Sequence, residues 1–358
     1  MAGRQKVALG MSGGVDSSMT AVMLMRSGYD VVGVTCVFTA GAATDAAIRD
    51  AHTVCAQVGI EHIVRDCSID FDRTVVRSFV SDYARGATPI PCVPCNARCK
   101  IPALEAVADE QGCQKIATGH YARIAQLRDT GRFVVKTALD FRKDQSYMLS
   151  GLSQSQLARL VTPLGGTTKL AVRMEAADEG LVVAQRPESQ DVCFIDGDYR
   201  DFLAAYGIGS EPGDIVNRMG TVIGRHTGLS DYTIGQRKGI GIAAARPYYV
   251  IGKHIESNRL IVGFEEEAAI DEVRAVEANW QALDALEAPL DCSVKLRYRS
   301  AAVACTVEPE AQGIRIRLAS SQPATAPGQC AVFYQGDIVL GGATIAWAGR
   351  NGEGGDRL

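Results

Sequence analysis

The stretch "SGGVDSS", residues 12–18, constrains the fold more than any other. An apolar run, "KVALGM", leads into it. "VDSSMTAVMLMRSG" (15–28) follows with helical periodicity and stops at Gly28 in the manner of a C-terminal cap. A buried strand that turns through glycines into a helix is the opening of a βαβ unit. Glycines let the backbone approach an anion closely, and the helix start aims N–H groups and a positive dipole end at it. Ser12, Ser17 and Ser18 offer hydroxyl donors. The loop lacks the G-K-[ST] of the Walker type. Asp16 is its unusual member, because a carboxylate in a phosphate loop points to Mg²⁺ or a charged substrate group nearby. A plain capping turn is the competing reading. A bare Gly-Gly pair would favour it; the full heptapeptide between strand and helix does not.

The alternation continues. Apolar strands are expected at 29–38, 61–67 and 115–124, and helices at 45–60 and 99–113. Strands alternating with helices predict a largely parallel sheet. After about residue 205 the texture changes to short β-rich pieces ("GDIVN", "GTVIGRH", "YYVIGKHI", "RLIVGF"). From about 275, alternating strands with turn signals predict a small antiparallel barrel. The expected architecture is an α/β catalytic domain (1–205), a central β-rich module (206–274) and a C-terminal β-barrel (275–358).

With 358 residues, more than one core is expected. The N-terminus does not read as a signal peptide, and no run approaches the length of a membrane span. A cytoplasmic protein is the expectation, with its eleven cysteines read mostly as thiols; the odd number argues against a fully paired disulfide framework. A net charge of −4 argues against a generic nucleic-acid coat, though it leaves room for a local basic face.

"PCVPCNARCK" (91–100) places Cys92, Cys95 and Cys99 within eight positions. Such spacing serves metal sites, iron–sulfur clusters and thiol chemistry alike, so it does not choose between them.

The loop S-G-G-x-D-S resembles the pyrophosphate loop of ATP pyrophosphatases, which cleave ATP between its α- and β-phosphates. By that resemblance Gly10, Met11, Ser12, Gly13, Gly14, Val15, Asp16 and Ser17 would hold ATP. Cys36, at the end of the second strand, and the Gly119 turn would flank the adenosine, because ligands of open α/β sheets sit at the carboxyl ends of the strands. A buried cysteine is also an ordinary small apolar residue, which is the competing reading of Cys36. The segments "TPIPCVPCNARCKI", "ATGHYARI", "KDQSYMLSGL", "SQDVCFI", "GLSDYTIGQRKGIGI", "VKLRYRS" and "PGQCAVFYQGDIVLGG" occur in this order. With the loop, they resemble the tRNA-specific 2-thiouridylases, the bacterial MnmA family, over essentially the whole chain.

The resemblance implies that ATP, with Mg²⁺, adenylates the C2 oxygen of the wobble uridine of tRNA. A cysteine persulfide then delivers sulfur. Cys95, immediately before Asn96, is implied as the nucleophile, and Cys193 in "DVCFI" as the persulfide carrier. A cysteine desulfurase or sulfur-relay protein would load Cys193. The thiolate is the reactive form, and Arg98 and Lys100 are candidate cations that would favour it at Cys95. The chain departs from the family at Ile90, where many members have an asparagine that contacts the target base. It departs again at Cys92, where some have an aspartate proposed for proton transfer. In "RPESQDVC", Arg186 and Glu188 keep the charge types of the family pattern. Cys99 reads as packing.

The family match also makes His120, Lys143, Asp144, Gln145, Arg297, Tyr298 and Gln329 candidate tRNA contacts. Arg237 and Lys238 sit in a glycine-rich turn suited to phosphate. A structural histidine, a solvated loop and an ordinary solvated strand face are the competing readings of these residues. Three rival functions stay open at this level. An amide-forming or lysidine-forming enzyme could use the same loop, but would have no use for the cysteine pair. A [4Fe–4S] enzyme could use Cys92, Cys95 and Cys193 as cluster ligands, with Cys99 as a fourth thiol nearby. A tRNA-binding protein without catalysis would not need the intact loop.

Overall fold

The computed structural model describes residues 4–184, 192–209 and 211–351. In the first part of the chain the strands are β1 (Lys6–Gly10), β2 (Asp30–Val37), β3 (Glu61–Asp66), β4 (Lys115–Ala117), β5 (Ala122–Gln126), β6 (Phe133–Thr137) and β7 (Leu160–Val161). Five of these form a parallel sheet in the order β3-β2-β1-β4-β7. Val7, Ala8 and Leu9 of β1 are wholly buried, as a central parallel strand covered on both faces requires. The chain leaves β1 towards β2 on one side, and β4 lies on the other. The loops after β1 and β4 therefore meet at a topological switch point.

Helix α1 (Val15–Arg26) follows the glycine loop and α2 (Ala42–Val58) precedes β3. Two further helices carry wide turns. Helix α3 (68–84) has a π-helical segment at Asp72–Val76, and α4 (92–110) has one at Asn96–Lys100. Helix α4 corrects the expectation of a helix beginning at residue 99: it begins at Cys92. Pro91 sits at its cap and Pro94 in its first turn, where the missing N–H would have had no intrahelical acceptor. The remaining helices used below are α5 (Gln154–Arg159), α6 (Lys169–Asp178) and α7 (Tyr199–Ala205).

The single strand expected at 115–124 is divided. β4 stays in the parallel sheet, whereas β5 turns away at the Gly119 turn and pairs antiparallel with β6. The hairpin joins the last strand of the barrel through Lys136 and Ile338. That barrel consists of β12 (Ala269–Trp280), β13 (Leu290–Lys295), β14 (Val303–Glu310), β15 (Gly313–Pro323), β16 (Cys330–Gln335) and β17 (Ile338–Gly349), all paired antiparallel. Pairing of β12 with β17 closes it. Between barrel and α/β part, β8 (Gly213–Asn217), β9 (Val222–His226), β10 (Tyr249–His254) and β11 (Arg259–Gly263) form a four-stranded sheet in the order β10-β11-β8-β9.

Arg297 joins the central sheet to the barrel. Its Nη2 donates to the carbonyls of Ile234 and Ala324, each at 2.8 Å. Gly235 has φ +86°, and a Cβ there would lie 2.6 Å from Ala324 O, so the two backbones meet with no room for a side chain. Replacing Arg297 by Met leaves both carbonyls without their donor. We expect a loss of about 1–3 kcal/mol in stability, read from the denaturant midpoint at unchanged slope. An unchanged midpoint would contradict this placement of the arginine.

Candidate active site

The loop after β1 is shaped by steric exclusion. Gly13 has φ +70°, and a Cβ there would lie 2.7 Å from Ala47 O. Gly14 is the extended N-cap of α1 and has no side-chain cap. Ser17 Oγ closes the turn: it accepts from Ser12 N at 3.2 Å and donates to Gly14 O at 3.1 Å. Ser18 does not offer its hydroxyl to a ligand, because it is wholly buried and donates to Gly14 O at 2.9 Å.

This loop forms one wall of a cavity of about 460 Å³ at the carboxyl ends of β1, β2 and β4. Gly10, Met11, Ser12, Asp16 and Ser17 line it; Gly13, Gly14 and Val15 shape the turn without lining it. Cys36, Gly119, His120 and Gln145 line it from the neighbouring strand ends and loops. Helix α4 supplies Cys92, Cys95, Asn96 and Lys100, and the segment before α7 supplies Val192, Cys193 and Phe194. The fold thus brings Cys95 and Cys193, far apart in sequence, into one chamber with the anion loop. Arg186 and Glu188 lie outside the described residues. All eleven cysteines are free thiols.

Cys193 is exposed, but its neighbour is anchored. The Phe194 ring meets Phe71 at 5.4 Å, Phe79 at 5.3 Å and Phe202 at 5.5 Å, all edge-to-face. Such pairs add to the burial of each ring. The aromatic seat fixes where the chain passes and leaves Cys193 turned to the cavity. Cys99 is packed against Phe71, Val75 and Val76 and does not line the cavity. Asn96 was not singled out from the sequence. It is 3% exposed, its Nδ2 donates to Met148 O at 3.1 Å, and its buried Oδ1 has no partner among the described residues.

Two effects compete at Cys95. Burial pushes the thiol up to about 11; Lys100 pulls it down, and the Cys193 and Cys92 thiols push it up again. Burial wins. Cys92 is raised by burial, then by Cys193, against the same pull from Lys100. Arg98 does not take part. It points to the other side of α4, 3.4 Å from Glu277, beside a second cavity of about 560 Å³ that Ile90 also lines. Burial pushes Cys36 far up too, after the larger effect of its hydrogen bond with Cys67. His120 shares a 2.8 Å hydrogen bond with Thr118 Oγ1. Its enclosure, with Lys100 nearby, lowers its pKa to about 3.

Other candidate contacts hold the protein together. Asp144 is buried; it accepts from Ala138 N at 2.9 Å and from Ser146 Oγ at 2.8 Å. Gln145 Oε1 accepts from Tyr121 N at 2.9 Å. Gln329 Nε2 donates to Thr88 O at 2.7 Å. Tyr298 is half-buried beside Tyr147, whereas Lys143 is half-buried and Arg237 and Lys238 are exposed. Among the described residues no three His, Cys, Asp or Glu side chains converge as a metal site. No helix among them is long and apolar enough to cross a membrane.

Two measurements check these electrostatics. In Cys193→Ala, alkylation of Cys95 should accelerate about tenfold per pH unit from pH 7 to 10, because the thiolate fraction grows until pH meets a pKa of about 11. Lys100→Met should slow it at every pH; a plateau near pH 8 would contradict the dominance of burial. For His120, the folded pKa lies below the unfolded one, so the unfolded chain binds more protons between about 6.5 and 3. The stability that His120 contributes above pH 6.5 is lost as pH falls through that window. His120→Gln should flatten this acid limb of the melting curve against pH.

Comparison with known proteins identifies the family. Residues 5–197 match the family described as tRNA methyl transferase HUP domain, 200–264 the tRNA methyl transferase PRC-barrel domain, and 270–345 the aminomethyltransferase beta-barrel domain. The chain is 40% identical to a tRNA-specific 2-thiouridylase MnmA of Heliobacterium modesticaldum, covering 96% of this chain and 92% of that one. It is 44% identical to the protein of the same name from a Picosynechococcus strain, over 95% of this chain and 98% of that one. A solved U34-tRNA thiolase, NcsA of Methanococcus maripaludis, is a distant likeness at 20% identity and a TM-score of 0.36, covering 57% of this chain and 65% of that one. With three consecutive domain matches and relatives this similar from end to end, the chain belongs to the tRNA-specific 2-thiouridylase (MnmA) family.

Proposed function

We propose that this chain is a tRNA 2-thiouridylase that adenylates the C2 oxygen of the wobble uridine and replaces it with sulfur from a persulfide on Cys193. The observation that carries the reading is the shared chamber: the anion loop, Cys95 and Cys193 line one cavity. The loop's backbone and the start of α1 receive the phosphates of ATP. Attack by the C2 oxygen on the α-phosphorus releases pyrophosphate and turns that oxygen into a leaving group. The terminal sulfur of the Cys193 persulfide adds at C2 and AMP departs, leaving a disulfide between the base and Cys193. The Cys95 thiolate then attacks the Cys193 sulfur. This frees 2-thiouridine and leaves a Cys95–Cys193 disulfide, which an external dithiol must reduce.

The residues divide the work. Lys100 is the cavity cation that favours the Cys95 thiolate against burial. His120, neutral at working pH, and Gln145 face the base from the turn after β4 and the loop before Tyr147. Arg237 and Lys238 meet phosphates, as exposed cations outside the chamber do best. Asp144, Arg297 and Gln329 act on the RNA through the backbone that they hold. The exposed Cys193 is accessible to a cysteine desulfurase or sulfur-relay protein. The protein works in the cytoplasm.

Mg²⁺ would supply charge neutralisation to the triphosphate. The protein offers it little among the described residues: Asp16 is the one carboxylate lining the cavity, and Lys169 Nζ sits 2.6 and 2.7 Å from its two oxygens. A [4Fe–4S] cluster on Cys92, Cys95 and Cys193 is the second reading, favoured by three thiols lining one cavity. Their chemistry suits iron, but their arrangement does not gather them as ligands.

With ATP, a cysteine desulfurase and tRNA, Cys95→Ala and Cys193→Ala should each abolish 2-thiouridine while retaining tRNA-dependent pyrophosphate release. Full thiolation by either variant would refute the persulfide relay. Thiolation that requires iron in anaerobic preparations would favour the cluster instead.

A further inference from the structure

The pyrophosphate loop carries a charge of the wrong sign. Asp16 lies in the first turn of α1, at the wall that receives the phosphates, with its side chain 33% exposed. Left alone, its carboxylate would repel a triphosphate. Its surroundings show how that charge is handled. Lys169 Nζ donates to Oδ1 at 2.6 Å and to Oδ2 at 2.7 Å, and Tyr121 Oη donates to Oδ1 at 2.8 Å. The Lys169 side chain is only 9% exposed and does not line the cavity. It approaches Asp16 from behind.

Lys169 is itself fixed. It is the first residue of α6, and its backbone N–H donates to Asp140 Oδ2 at 3.0 Å. Thr168 caps the same helix by accepting from Ala171 N at 3.2 Å. Its ammonium lies 5.7 Å from the centre of the Tyr121 ring. A buried ammonium this close to both carboxylate oxygens covers the charge of Asp16, and removing the lysine would uncover that carboxylate.

We propose that Lys169 is a positioning residue for ATP. It neutralises Asp16 and turns the carboxylate away from the phosphates, so that the loop's N–H groups meet the anion without repulsion. The loop's charge is set by this ion pair and not by a metal bound to Asp16. The inference rests on the ATP reading above.

The test measures equilibrium binding of a non-hydrolysable ATP analogue to the full chain, with and without Mg²⁺, for Lys169→Gln, Lys169→Arg, Asp16→Asn and the double variant Asp16→Asn/Lys169→Gln. Lys169→Gln should weaken binding at least tenfold, and more at low salt, because the uncovered carboxylate then faces the phosphates. Lys169→Arg should stay within a few-fold of the parent. The double variant should recover most of the affinity, since both charges are gone; a merely structural lysine would not be rescued by removing its partner. If the double variant binds as poorly as Lys169→Gln, or if Asp16→Asn alone loses the Mg²⁺-dependent part of binding, the proposal is overturned. Failure of the parent itself to bind the analogue would instead sink the ATP reading. A circular-dichroism melt of each variant separates lost binding from lost folding.

Discussion

The chamber depends on a short backbone contact between the α/β domain and the barrel. Thr88 N donates to Pro327 O at 2.8 Å, Ile90 N to Gly328 O at 3.3 Å, and Gln329 Nε2 returns to Thr88 O at 2.7 Å. Gly328, at φ +87°, lets the chains approach: a Cβ there would lie 3.1 Å from Pro89 N. The next residues, Pro91 and Cys92, begin α4. The barrel therefore sets where the cysteine helix starts, and its direction follows from there. The hairpin β5–β6 makes a second tie, since it leaves the β4 turn that lines the cavity and ends against β17. The barrel, none of whose described residues lines the cavity, thus fixes both walls opposite the glycine loop.

Within that frame the cavity chemistry is a contest between enclosure and Lys100, the one cation among the described residues that line it. Enclosure raises thiols and lowers imidazoles, because both changes suppress charge. Lys100 helps the thiolates of Cys92 and Cys95, but it further suppresses protonation of His120. A neutral imidazole at His120 and protonated thiols at Cys92 and Cys95 make a quiet resting site.

Local features were legible in the sequence and long-range ones were not. The loop 12–18 is read from neighbours in sequence, because strand, glycines and helix start are contiguous. The barrel strands show their alternation in the same way. The ion pair of Lys169 with Asp16 spans 153 residues, and a lysine at a helix start looks like any solvated cap. The choice between Arg98 and Lys100 depends on which side of α4 each faces. The start of α4 was hidden because Pro91 and Pro94 read as breakers, although a first turn tolerates them. The hairpin's departure from β4 to the barrel is a tertiary pairing, with only the Gly119 turn to mark it.

The π-helical segment Asn96–Lys100 decides which of the three clustered cysteines matter. In a regular helix of 3.6 residues per turn, residues 92 and 99 stand almost two turns apart and share a face. An uninterrupted α4 would then point Cys92, Cys95 and Cys99 together into the cavity. A wide turn with i→i+5 bonding takes up about one more residue. The position that returns to the cavity face is then 100 instead of 99. Lys100 lines the cavity, and Cys99 is turned into the cluster of Phe71, Val75 and Val76. One inserted position exchanges a third aligned thiol for an ammonium. That exchange takes a thiol off the cavity face and puts a positive charge beside Cys92 and Cys95, where it pulls both thiols down against burial.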